Sequence, residues 1–165
     1  MRKFQSLKDH MTKALTHRGV AANPTDLYFH VPHGSLQATQ RDGLAFNYAY
    51  TLTFAVLDSA WSVDEIMIPL LMWVQRWQPD LLALTAPEGG IAFEIEDQDE
   101  GSKVDVLVRV PLTEAVYLTP RAGGGYDVTR PEEPIPFFLQ SGEPLHAVYL
   151  DDERIGHCAD HPDLG

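Results

Sequence analysis

Residues 46–83, FNYAYTLTFAVLDSAWSVDEIMIPLLMWVQRWQPDLLA, run an alternating segment straight into a segment of helical period. From Leu44 to Val56 every even position is large (Leu, Phe, Tyr, Tyr, Leu, Phe, Val) and the odd positions are Ala, Asn or Thr. Period two over that length predicts a strand in a sheet with one thickly covered face. At ~3.3 Å per residue it would span roughly 43 Å, so it is expected to bend or to reach past its own domain. Ser62-Val63-Asp64-Glu65 then reads as a capping box that starts a helix, and Pro79 ends that helix after Gln78. Val63, Ile66, Leu70, Val74 and Trp77 form one apolar face, while Ile68, Leu71 and Met72 lie off it. Pro69 removes one backbone hydrogen bond and is expected to kink the helix. A helix with so little polar surface predicts cover on two sides, one from its own sheet and one from a neighbouring molecule.

Working outward, Leu7, Met11 and Leu15 recur at four-residue steps and predict an amphipathic helix over Ser6 to Arg18, with Ser6 as N-cap and Gly19 as stop. Leu27 to Val31 and Ser35 to Thr39 read as a short hairpin around Pro32-His33-Gly34. Ile91, Phe93 and Ile95 alternate with Glu94 and Glu96, and an acidic turn leads into Val104 to Leu112 as the long return strand of a second hairpin. Pro111 has no N–H to give to a ladder, which places that part of the strand on an edge or at a bulge. Gly123 to Gly125 turn the chain into Tyr126 to Thr129. From Pro131 onward Pro131, Pro134, Pro136 and Pro144 hold an extended segment carrying Phe137 and Phe138, and Leu145 to Leu150 reads as a further strand before a polar tail. The expected organisation is an α+β core over residues 1–130, a mixed or antiparallel sheet packed on two main helices, followed by a Pro-rich arm over 131–165.

The 165 residues suffice for a buried core, and 44% hydrophobic content is that of a globular protein. A formal charge of −12 opposes sequence-independent binding to nucleic acid, which needs Lys and Arg against phosphate. One cysteine, Cys158, allows no intrachain disulfide, and the amino terminus has no apolar signal region, so a reducing cytoplasm is the expected setting. The longest apolar run, Ile66 to Val74, is far below the ~18 residues of a membrane span.

Chemistry-bearing patterns are weak. His157-Cys158 with Asp160 and His161 has zinc-type side chains but no standard spacing, and a polar tail explains it better. His30 and His33 flank a turn. Glu94, Glu96, Asp97, Asp99 and Glu100 lack the spacing of a calcium loop and read as a solvated acidic edge. There is no nucleophile elbow and no phosphate loop, since Gly123 to Gly125 lack the following Lys and Ser/Thr. No catalytic, cofactor or metal residue is expected. For a contact surface the expectation is Ile68, Leu71 and Met72 on the helix and Phe137 and Phe138 in the arm.

Four stretches, MRKFQSLKDHMTKAL at the start, FNYAYTLTFAVLD, VDEIMIPLLMWVQRWQPDLLA and FEIEDQDEGSKVDVLVRVPLTEAV, come in the order and spacing of the phage tail completion protein R family. That family belongs to contractile-tailed temperate phages and related tail-like particles, and the resemblance covers roughly residues 1–130. It implies a structural subunit of the virion tail, present in the host bacterial cytoplasm during assembly, that caps the tube and sheath end and prepares it for the head. Similar terminators are α+β domains in a homo-oligomeric ring, so the implied partners are five further copies in a hexamer, tube and sheath proteins, and head–tail connector proteins. Neither specific nucleic-acid binding nor a membrane is implied. The alternatives are a head-side neck adaptor and, in another class, a small-ligand or metal-dependent enzyme.

Overall fold

The computed structural model describes residues 1–17, 26–39, 45–59, 62–82, 90–97, 103–131, 147–150 and 153–157. Its elements in chain order are α1 (Arg2–His17), β1 (Leu27–His30), β2 (Gly34–Thr39), β3 (Ala45–Ser59), α2 (Val63–Trp77), a 3-10 turn (Pro79–Leu82), β4 (Ala92–Asp97), β5 (Val104–Pro120), β6 (Tyr126–Thr129), β7 (Ala147–Leu150) and β8 (Glu153–His157). The chain is an α+β protein, two helices on an antiparallel sheet.

The sheet is built around β3 and β5, which pair antiparallel from Ala45↔Tyr117 to Ser59↔Val104. On the outer flank of β3 lie β1 and then β2, and on the outer flank of β5 lie β4 and then β6. The expected hairpin of β1 and β2 does not form. Both strands run in the same direction along β3, and the register steps by one residue between His30↔Thr53 and Gly34↔Tyr50. Pro32 cannot donate to a ladder, so the Pro-His-Gly sequence makes a break in one edge instead of a reversal. Gly34 fits that break closely, because a Cβ there would stand 3.1 Å from Cβ of Tyr50. At the far end of β3 a second irregularity lies between Val56 and Ser59, with Asp58 at φ 53° and its N–H donated to Oδ1 of Asp105 at 2.9 Å. Asp tolerates that left-handed conformation better than most residues, which lets the strand continue past its expected end.

The even residues of β3 and β5 face the helices. Leu52, Phe54, Val56, Val106, Val108 and Val110 are fully buried with Leu7, Met11 and Leu15 of α1 and Ile66, Leu70 and Val74 of α2. Alternation on the strands and four-residue steps on α1 thus meet in one core. Helix α2 opens with the expected capping box: Oγ of Ser62 accepts from the Asp64 N–H at 3.3 Å, and Oε2 of Glu65 accepts from the Ser62 N–H at 3.1 Å. The helix continues through Pro69, whose carbonyl lies 3.0 Å from Nε2 of His10 on α1.

Strands β7 and β8 form a separate two-stranded sheet, and β8 runs beside α2. The strand Glu153–His157 lies where a polar tail was expected, because alternation over so few residues is a weak signal. Cys158, Asp160 and His161 lie outside the described residues. Among the described residues no three metal-type side chains come together, and no helix is long and apolar enough to cross a membrane.

Candidate functional site

Helix α1 starts four residues before its expected N-cap, and the reason lies in the sheet. Its first turn holds no acidic residue of its own. Glu114 of β5 supplies one: Oε2 accepts from the Arg2 N–H at 2.8 Å and Oε1 from the Lys3 N–H at 3.1 Å. A carboxylate at the positive end of a helix satisfies orphan donors and opposes the macrodipole. Ser6, the expected N-cap, instead accepts from Nε1 of Trp73 at 3.0 Å and ties the two helices together.

The same carboxylate accepts a short hydrogen bond from the Tyr50 hydroxyl on β3. Burial, then the hydrogen bond to Glu114 and its charge, push the Tyr50 phenol well above its ordinary value. Beside this pair, Gln78, the C-cap of α2, is buried with its side chain fully used. Oε1 accepts from Nζ of Lys3 at 2.8 Å and from the Thr113 N–H at 3.1 Å, while Nε2 donates to Asp80 at 2.7 Å and to Oγ1 of Thr113 at 3.1 Å. The Thr113 N–H therefore points away from β3. Pro111, two residues earlier in the same phase, has its missing donor on that open flank, between the ends of β4 and β6, as expected for an edge position.

This polar knot marks a boundary. On one side both strands are covered by the helices. On the other, residues 45–49 of β3 and 115–120 of β5 continue with β2 and β6 as a ribbon. The apolar phase continues too, and its burial falls off along the ribbon: Val116 is buried, Tyr48 and Leu118 are half-buried, and Leu36 is 58% exposed, Tyr126 52% and Val128 54%. Three glycines with φ between 87° and 104° close the tip, where residues with a side chain would be strained. Of the expected contact residues, Leu71 is 43% exposed, Ile68 is half-buried, and Met72 is buried. Phe137 and Phe138 lie outside the described residues. Leu36, Tyr126 and Val128 were missed, although each sits in an alternating run. Glu114 was also missed, and it breaks an otherwise apolar even phase on β5, which is the signal that finds it.

A shallow trough of about 460 Å³ crosses the sheet at this boundary, with His33 and Asp80 among its lining residues. His30, the last residue of β1, lies with its ring 5.5 Å from that of Tyr28.

With this geometry in place the comparisons decide the kinship. The model of the family described as P2 phage tail completion protein R (GpR) matches residues 1–134. The chain belongs to that family. It is similar to tail completion protein R of Escherichia phage P2, 32% identical over 139 residues that cover 82% of this chain and 86% of that protein. No solved structure matches the chain. A tail completion protein is structural and not an enzyme, and its place is the virion tail.

Proposed function

We propose that the chain finishes the phage tail as a ring-shaped homo-oligomer, a hexamer, that caps the end of the tube and sheath and makes that end ready to join the head. Beyond family membership, the observation that carries this reading is the ribbon: paired strands with an apolar face that leave the helix-covered core and end in exposed side chains. Such a surface works by docking. The exposed Leu71, with half-buried Ile68 and buried Met72 on the same helix, is the second contact of this reading, and Phe137 and Phe138 of the Pro-rich arm are further contact residues in it. The core over residues 1–130 carries the fold, and the arm over 131–165 serves docking.

Tube, sheath and head–tail connector proteins are the partners this role requires, with assembly in the host bacterial cytoplasm. The charge of −12 suits a ring through which DNA passes without adhering. A basic lumen in the assembled ring would end that part of the reading. Fluorescently labelled protein mixed with unfinished tail tubes and imaged by electron microscopy tests the rest. Label at one end of each tube is the expected result, and tubes without label would refute capping.

A further inference from the structure

We infer that the carboxy-terminal hairpin of β7 and β8 is a detachable cover: it closes the Ile68–Met72 face of α2 in the free subunit and leaves it when that face meets the tail. This deepens the docking reading above and rests on it. Three observations meet on α2. First, the helix has two apolar faces, and the domain uses one. Ile66, Leu70, Trp73 and Val74 belong to the core shared with α1 and the sheet. Met72 is buried too, at 6% exposure, yet it does not belong to that core. Among the described strands, β8 runs most extensively along α2. The second cover that so apolar a helix requires thus comes from within the chain. It is partial, because Leu71 stays 43% exposed and offers an incoming partner a first foothold.

Second, the hairpin adds nothing to the main sheet, since β7 and β8 pair with each other in a sheet of their own. A two-stranded sheet is marginal in water by itself, so its order depends on the helix beside it and its release costs little. Residues 132–146, with Pro134, Pro136 and Pro144, separate it from the end of β6. At ~3.1 Å per residue that connection reaches about 45 Å when extended, so the hairpin can leave α2 without disturbing the sheet. Third, the family match ends at residue 134. Helix α2 lies inside the matched residues and its cover lies outside them. The hairpin therefore controls a face that belongs to the shared part of the protein. A cover that binds the same face as the tail lowers the apparent affinity for the tail by the fraction of time the face is open.

Cys158, the chain's one cysteine, directly follows β8 in the sequence. The test attaches there a thiol-reactive fluorophore that accepts energy from tryptophan, with Trp73 and Trp77 on α2 as donors. Transfer is expected to be high in the free full-length chain and to fall as unfinished tail tubes are added. Val148→Pro takes one N–H from the hairpin ladder and touches neither helix nor the main sheet. This variant should show low transfer without tubes and an unchanged thermal melt of the core. It should also bind tubes about ten-fold more tightly, the gain expected if the cover is closed about 90% of the time in the parent. Low transfer in the free parent would overturn the inference. Tubes bound with transfer unchanged, or a Val148→Pro chain that binds them no better than the parent, would overturn it and leave capping intact. A chain that ignores tubes even with its hairpin loosened would overturn capping and this competition together.

Discussion

Strands β3 and β5 run side by side through two environments. Between Tyr50 and Val56, opposite Val106 to Leu112, their even residues are buried under α1 and α2. Between Ala45 and Ala49, and from Ala115 onward, the same alternation continues; Val116 is still buried, but further out in the same phase Leu36, Tyr126 and Val128 are exposed. Alternation reports that a strand has an apolar face and is silent about what covers it. The chain covers one half with its own helices and leaves apolar side chains exposed toward the end of the other, and the knot of Glu114, Tyr50, Lys3 and Gln78 stands between them.

The sharpest way to break this division is a truncation in the covered half. Phe54→Ala, at a fully buried position, is expected to cost about 3–5 kcal/mol in a denaturant melt, through lost burial and a residual cavity. A cost near zero would mean that the helices do not hold this half. Next comes the boundary. Glu114→Ala removes the cap of α1 and orphans the Tyr50 hydroxyl, for an expected loss of about 2–4 kcal/mol. Hydrogen exchange should report it first as faster exchange at the Arg2 and Lys3 amides.

A smaller effect probes the same pair by pH. The Tyr50 phenol of the unfolded chain ionises near its ordinary value of 10.0, whereas in the folded chain it holds its proton to higher pH. Above pH ~10 the folded state binds more protons than the unfolded one, so stability is intact below that pH and falls as pH rises further. Tyr50→Phe should lower stability by about 1 kcal/mol at neutral pH and flatten this alkaline decline. An unchanged decline would place its origin elsewhere. The smallest effect belongs to the ribbon. Leu36→Ser should leave stability within about 0.5 kcal/mol, because the side chain is already exposed. A large loss in a thermal melt would erase the distinction between the two halves.

Much of the covered half was legible in the chain itself. The even phase of β3, the four-residue steps of α1, the capping box at Ser62 and the edge position of Pro111 each follow from local geometry, and each holds in the structure. The amphipathic pattern of α1 was visible but its first residue was not, because its cap sits more than a hundred positions away on β5. The Pro32-His33-Gly34 reversal failed for a related reason. A break in one strand and a turn between two strands use the same residues, and only the partner strand distinguishes them. Apolar residues are densest along α2, which is why Ile68, Leu71 and Met72 stand out as contact residues in the sequence. The ribbon exposes more apolar surface, since α1 and the sheet together absorb most of that helix.

By itself the sequence determined periodicity, and with it the element types, the phase of each face, and the kinship with tail completion proteins, since all of these are local patterns repeated along the chain. Tertiary structure alone decided which stretch of a uniformly alternating strand is core and which is surface. That choice depends on where two helices of fixed length end over a sheet longer than they are, and on a buried carboxylate whose partners become neighbours only on folding.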